Sequence, residues 1–138
     1  MRKIQMVDLK GQYTKIKDVV DSSIAEVLDN TAYINGPKVH EFQKNLEAYL
    51  NVKHVIPCAN GTDALQIAMM GLDLKPGDEV ITTALTAFPT ITAIGRMGAI
   101  PVIVDVDERT GLIDLEKIEL AITSKTRAIV PVHLYGQV

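Results

Sequence analysis

The sequence predicts an α/β fold with a mainly parallel sheet flanked by helices, and three observations carry that expectation. From residue 54 onward, short apolar runs alternate with amphipathic stretches at helical spacing, the pattern of repeated β-α-β units with right-handed crossovers. The later apolar runs, around Pro101–Val104 and Ala128–Val132, are continuous rather than alternating. Such runs belong to strands covered by helices on both faces. Between the runs stand turn signals such as Asn60-Gly61 and Pro76-Gly77-Asp78, which punctuate the chain where a strand or helix must end.

Taken in order, residues 1–11 form a mixed, extended lead-in with Ile4, Met6 and Val7 as candidate anchors. A helix follows from Gln12 to Asn30, because Ile16, Val19, Val20, Ile24, Val27 and Leu28 gather on one side of the wheel. The loop Thr31–Pro37 contains the turn Asn35-Gly36-Pro37. A second helix, from about Lys38 to Leu50, carries Val39, Phe42, Leu46 and Tyr49 or Leu50 at helical spacing and stops at Asn51. The two leading helices are expected to pack outside the sheet or against a partner.

The alternating part opens with a strand at 54–57 and a helix at 62–72, on which Ala64, Leu65, Ala68, Met69 and Leu72 recur. In the turn between them Gly61 is able to supply a positive φ, and Thr62 or Asp63 is a natural N-cap. A strand at 79–83 and a helix at 86–97 come next, with Pro89 confined to the first helical turn. A strand at 100–106, a loop at 107–111, a helix capped by Asp114 and running to about Ile122, and a strand from Arg127 to Leu134 complete the chain.

Composition sets limits on function. With 138 residues, 47% hydrophobic and 22% charged, the chain has enough material for one core. A net charge of −3 and the lack of a Lys/Arg cluster argue against nucleic-acid binding. The single cysteine, Cys58, excludes an internal disulfide framework and is expected to be a small buried residue. Charged residues interrupt the start of the chain, leaving no signal-peptide h-region, and no apolar run spans a bilayer. A cytoplasmic, non-membrane protein is expected.

In open parallel sheets, ligands collect at the carboxyl ends of the strands. Here those ends are Cys58–Asp63, Thr83–Phe88, Asp105–Asp107 and Val132–Gln137. The Asn60–Asp63 turn leads into a helix, so unpaired N–H groups and the positive end of a helix dipole converge there, as in a phosphate site. The pattern alone is also met in αβ units that bind nothing. His133 and Tyr135 have acid–base chemistry, although a lone His at a strand end more often bonds a neighbouring carbonyl. Asp105 and Asp107 form a carboxylate pair whose ordinary role is to cap the next turn, and no His or acidic cluster supports a metal. A G-x-S-x-G elbow, a dinucleotide G-x-G-x-x-G and a Walker motif are all missing.

Several segments together resemble the DegT/DnrJ/StrS family of pyridoxal-phosphate-dependent sugar aminotransferases. They are MVDLKGQY, AYINGPKVHEFQKNLEAYLNVKHVIPCANGTDAL, LKPGDEVITT, GAIPVIVDVDERTGLID and TSKTRAIVPVHLYGQ. The resemblance runs along nearly the whole chain, in the family's order. It implies an aspartate-aminotransferase-type fold, with residues 1–37 as a helical extension and substrate-side loop. Residues 38–138 would be the first part of the large cofactor-binding domain. It further implies a homodimer, pyridoxal 5′-phosphate as cofactor, a nucleotide-linked keto-sugar as substrate, and glutamate as amino donor. The product would serve polysaccharide or secondary-metabolite synthesis.

By the same resemblance, Gly61 and Thr62 hold the cofactor phosphate and Asp63 adds its backbone amide. Phe88 is the aromatic stacked on the pyridine ring, one residue later after Thr86 than is usual in the family. Tyr33, Asn35 and Gly36 fall on the substrate side. The family's Schiff-base lysine and pyridinium-pairing aspartate lie C-terminal of its H-L-Y-G-Q motif, and no lysine here matches that motif. The 138 residues by themselves are therefore expected to be inactive. They are also expected to self-associate through an open sheet edge. The alternative, from a different functional class, is a non-catalytic sugar-nucleotide- or phosphate-binding or regulatory protein derived from the same family.

Overall fold

The computed structural model describes Ile4 and residues 6–138, which divide into two compact units meeting between Pro57 and Cys58. Part of the expected lead-in, Met1, Arg2, Lys3 and Gln5, lies outside the described residues.

The first unit holds helices α1 (Leu9–Asp29) and α2 (Pro37–Leu50). Helix α1 begins three residues before the expected Gln12 because Asp8 caps it, its carboxylate accepting from Gly11 N at 2.9 Å. Ile4, Met6 and Val7 are exposed and anchor nothing in this unit. The helix ends in a Schellman arrangement: Thr31 N donates to Leu28 O and Ala32 N to Val27 O, both at 3.1 Å. Thr31 occupies the positive-φ position at 52°, an unusual place for a β-branched residue. Lys38 ties the two helices together, pairing with Glu26 at 2.9 Å and Glu41 at 3.3 Å.

The expected strand at 54–57 does not form. Val55 O accepts from Gln43 Nε2 at 2.7 Å, and Val55 N donates to Glu47 Oε1 at 3.1 Å. Gln43 and Glu47 stand one turn apart on α2, so they face the same way. Two helix side chains thereby satisfy backbone groups that a neighbouring strand would otherwise take.

The second unit comprises α3 (Gly61–Gly71), β1 (Glu79–Thr83), α4 (Phe88–Arg96), β2 (Ile100–Val104), α5 (Leu115–Ala121) and β3 (Thr126–Val130), followed by a 3₁₀ turn at Leu134–Gly136. The sheet is parallel with order β2-β1-β3. Strand β1 occupies the centre, and Val80, Ile81 and Thr82 are fully buried. Alternation along β1 divides the core in two. Val80 packs with Met69, Leu74, Ala93, Ile94 and Ala99 from the α3/α4 side. Ile81 packs with Val104 and Ile118 from the α5 side.

Both flanking strands end sooner than the periodicity predicts. Strand β3 stops at Val130 because Pro131 has no N–H for the ladder. Strand β2 stops at Val104, after which Val106 makes an isolated antiparallel bridge to Ile113. Helix α5 starts where expected, with Asp114 Oδ1 accepting from Glu116 N at 3.0 Å and Lys117 N at 3.3 Å.

At the amino edge of the sheet, Asp78 accepts from Lys75 N at 2.8 Å and Arg127 Nε at 3.2 Å. The Lys75 N–H, and then the Arg127 guanidinium, hold the Asp78 carboxyl below its ordinary value. A carboxylate depressed in the folded state contributes stability that is complete above the unfolded value and lost as pH falls through the folded one. The melting-temperature gap between wild type and Asp78→Asn is therefore expected to be constant near neutrality. It should close as pH falls below the ordinary carboxylate range, in a thermal-melting series across pH.

Candidate functional site

Helices α3 and α4 both end at the amino edge of the sheet, where Gly77 N donates to Gly98 O at 3.2 Å. Helix α3 spans 11 residues and α4 spans 9, lengths of about 16 and 14 Å at 1.5 Å per residue. Each is therefore long enough to start level with the carboxyl ends of the strands. Side-chain contact fixes their pairing, Arg96 Nη1 donating to Gln66 Oε1 at 2.8 Å.

The start of α3 is organised by Asn60, not by Thr62 or Asp63. Asn60 has extended backbone (φ −166°), and its Oδ1 accepts from Asp63 N at 3.0 Å. Its carbonyl accepts from Ala64 N at 3.0 Å, and its Nδ2 donates to Asp63 Oδ2 at 3.1 Å. The Asp63 amide, expected to be free for a ligand, is thus engaged by the cap. Among the described residues, Gly61 N and Thr62 N have no protein acceptor. They remain the unpaired donors at the positive end of the helix dipole.

Gly61 lies within the helix and is not among the positive-φ residues, so the expected conformational reason for glycine does not apply. A Cβ built there would meet no atom within 4 Å. Neither packing nor backbone angle requires glycine here. Cys58, two residues before the cap, is exposed rather than buried, and its Sγ donates to Asn60 O at 3.4 Å.

Beyond β1, the chain turns through Ala84–Ala87 into α4. Ala84 N donates to Val104 O at 2.8 Å, and Leu85 N donates to Thr83 Oγ1 at 3.3 Å. Thr86 Oγ1 and Thr90 Oγ1 lie 2.8 Å apart. Phe88, the first residue of α4, is 76% exposed, so it is a surface aromatic and not a core one.

The ends of β2 and β3 are shaped by carboxylates that hold turns. Asp107 Oδ1 accepts from Thr110 N at 2.8 Å, Thr110 Oγ1 at 2.9 Å and Arg109 N at 3.1 Å. These bonds, those from Thr110 first, keep its carboxyl below the ordinary value. Asp105 bonds Val106 N and stands 3.7 Å from Lys117 Nζ. Among the described residues no cluster of three or more His, Cys, Asp or Glu is placed to hold a metal. A cavity of about 610 Å³ on this side is lined by Asp107, Thr110, Asp114, Val132 and His133. Gly61, Thr62 and Phe88 do not line it. Tyr135 is exposed, with φ at 57°.

Tyr33, Asn35 and Gly36 belong to the first unit. Tyr33 is exposed, and Asn35 has φ 47°, a conformation that asparagine tolerates better than most residues. At Gly36 a Cβ would fall 2.4 Å from Ala32 O, so glycine is dictated here by the chain's own backbone. Gly36→Ala is expected to destabilise the first unit by roughly 1–3 kcal/mol, the usual range for forced overpacking, as read by thermal unfolding.

The chain belongs to the DegT/DnrJ/EryC1/StrS aminotransferase family, whose model matches residues 14–138. Among its relatives, the UDP-2-acetamido-2-deoxy-3-oxo-D-glucuronate aminotransferase of Pseudomonas aeruginosa is 48% identical over 134 residues. That match covers 97% of this chain and 37% of the relative. Among solved structures, DesV of Streptomyces venezuelae in complex with a ketimine intermediate superposes with a TM-score of 0.94 at 38% identity. All of this chain and 37% of DesV are covered. NtdA of Bacillus subtilis with bound cofactor PMP gives 0.83 at 37% identity, covering 98% of this chain and 32% of NtdA. The chain thus spans about a third of the length of these relatives. The fold expected from the sequence is the fold of these aminotransferases.

Proposed function

We propose that these residues form the phosphate cup and ring-stacking wall of a pyridoxal-phosphate-dependent aminotransferase acting on a nucleotide-linked keto-sugar. Glutamate is the amino donor, and the working enzyme is a cytoplasmic homodimer. The observation that carries the reading is the pair of unpaired amides at Gly61 and Thr62, at a position where an added Cβ meets no neighbouring atom. A phosphate ester fits that donor set, because it has oxygens for both amides and a charge suited to the helix dipole. Among the described residues no helix is long and apolar enough to cross a membrane.

When bound, the cofactor supplies an electrophilic carbonyl and an electron sink; the chain's own contribution is binding and orientation. Gly61 N and Thr62 N would donate to the phosphate. Asn60 and Asp63 lock the first turn so that those amides stay aimed outward. Phe88 would supply the aromatic face for the cofactor ring. Tyr33, Asn35 and Gly36 shape the substrate side, Gly36 by allowing the tight turn against Ala32. No lysine of residues 1–138 is assigned the covalent bond to the cofactor, and no aspartate the pairing with its ring nitrogen.

Two measurements test the reading. Residues 1–138 incubated with pyridoxal phosphate and then borohydride are expected to show no lysine singled out by mass spectrometry. Labelling of one particular lysine would overturn the assignment of the nucleophile. The complete polypeptide, given cofactor, glutamate and a UDP- or dTDP-linked keto-sugar, is expected to yield the amino sugar. Cofactor or phosphate binding without transfer, across a panel of such sugars, would favour the non-catalytic alternative.

A further inference from the structure

We propose that Thr86 and Thr90 are positioning residues whose hydroxyl pair fixes Phe88 in place for stacking. The inference rests on the cofactor reading above and adds the means by which this loop holds its aromatic. Phe88 is 76% exposed, so packing within the chain does little to settle where its ring stands. Its backbone must therefore be held by bonds to either side.

On the upstream side the loop is pinned as far as Leu85, through Ala84 N to Val104 O and Leu85 N to Thr83 Oγ1. Between Leu85 and Phe88 the sequence offers few fixings. Ala87 occupies the N-cap position of α4 but has no side-chain oxygen to bond the first turn. Pro89 has no N–H at all. Thr90 N donates to Ala87 O at 3.0 Å and closes a tight turn. On the downstream side Thr92 Oγ1 donates to Pro89 O at 3.2 Å and Phe88 O at 3.3 Å, and across the turn itself Thr86 Oγ1 and Thr90 Oγ1 lie 2.8 Å apart.

That contact brackets Phe88, with one partner two residues before it and the other two residues after. Thr90 is only 6% exposed and sits on the packed face of α4 beside Ala93 and Ile94. It therefore ties the turn before Phe88 to the buried face of α4. The hydroxyl pair leaves the first-turn amides of α4 uncapped, but it links the residue before the N-cap to the buried face of the helix. Losing one hydroxyl leaves the other without its partner in a partly dry place, and the turn carrying Phe88 gains freedom.

The test uses the complete polypeptide and pyridoxal phosphate itself, in a titration read by absorbance and by the ellipticity of the bound cofactor, alongside thermal melting without cofactor. Phe88→Ala and Thr90→Val are each expected to weaken binding by roughly threefold to tenfold, the range of one aromatic stacking contact. Both should alter the cofactor's ellipticity, which a merely structural hydroxyl would leave unchanged. Thr90→Ser, which keeps the hydroxyl, should restore both readouts. In the Phe88→Ala background, Thr90→Val should weaken binding no further, because its effect passes through the aromatic. Should Thr90→Val fail to fold, Thr86→Val tests the same bond from its more accessible partner. Wild-type affinity and ellipticity in the valine variants, with Phe88→Ala still impaired, would overturn the positioning role. So would fully additive losses. If Phe88→Ala itself binds like wild type, the stacking assignment fails and this inference falls with it.

Discussion

Gly61→Val is expected to weaken pyridoxal phosphate binding by about tenfold to a hundredfold, the worth of one or two hydrogen bonds to a charged group. Stability without cofactor should stay within about 0.5 kcal/mol of wild type, as for most exposed substitutions. The separation arises because nothing in the chain lies within 4 Å of a Cβ at that position, and Gly61 has ordinary helical backbone. A Cβ there meets no atom beyond its own turn, and in the proposed site a branched side chain would compete with the phosphate for the two free amides. Equilibrium titration and thermal melting on the same preparation read the two effects. A variant that melts early but binds normally would show that residue 61 serves folding and not the ligand.

Ile81→Ala is expected to destabilise the second unit by about 2–5 kcal/mol. Ile81 is fully buried on the central strand, and the cluster on its side has only Val104 and Ile118 as further buried members. Parallel pairing to Val102 on one side and Ile129 on the other fixes its backbone, so the vacated space cannot close by strand movement. Ile103→Ala, on the flanking strand at 53% exposure, is the control and should cost well under half as much. Equal losses in denaturant titration would mean that the two-sided core is wrongly divided.

The sequence was most readable where side-chain pattern and backbone need coincide. Residues 79–83 combine β-branched residues with the turn signal Pro76-Gly77-Asp78 before them, and the strand occupies those five positions. Asp114 was identifiable as a cap because it immediately precedes a helical pattern, and it bonds two amides as expected. The apolar run at 54–57 misled because apolarity reports burial, not the identity of a hydrogen-bond partner. Here the partners are Gln43 and Glu47, whose reach to Val55 is set by tertiary geometry.

At the site, the segment from Asn60 to Asp63 was legible as a helix start with unpaired amides, but the residue that caps it was not. Asn at one position and Asp three later is a signal for an Asn cap, and it competed with Thr62 and Asp63 for that role. Which amides remain free follows from that choice alone. The Thr86–Thr90 contact left no trace in periodicity either, because a hydroxyl four residues from another bonds only when the turn between them is tight. The family motifs supplied the cofactor expectation, which no spacing of charged residues in this chain suggested.

The clamp on Val55 also bears on how this segment opens and closes. An amide in a sheet exchanges its hydrogen with solvent only when a whole cooperative unit gives way. The Val55 amide instead hangs on one carboxylate at the end of a flexible chain, so a rotation within Glu47 is enough to release it. Its exchange should follow side-chain motion and be nearly insensitive to denaturant, whereas Ile81 on the central strand should exchange only through global unfolding.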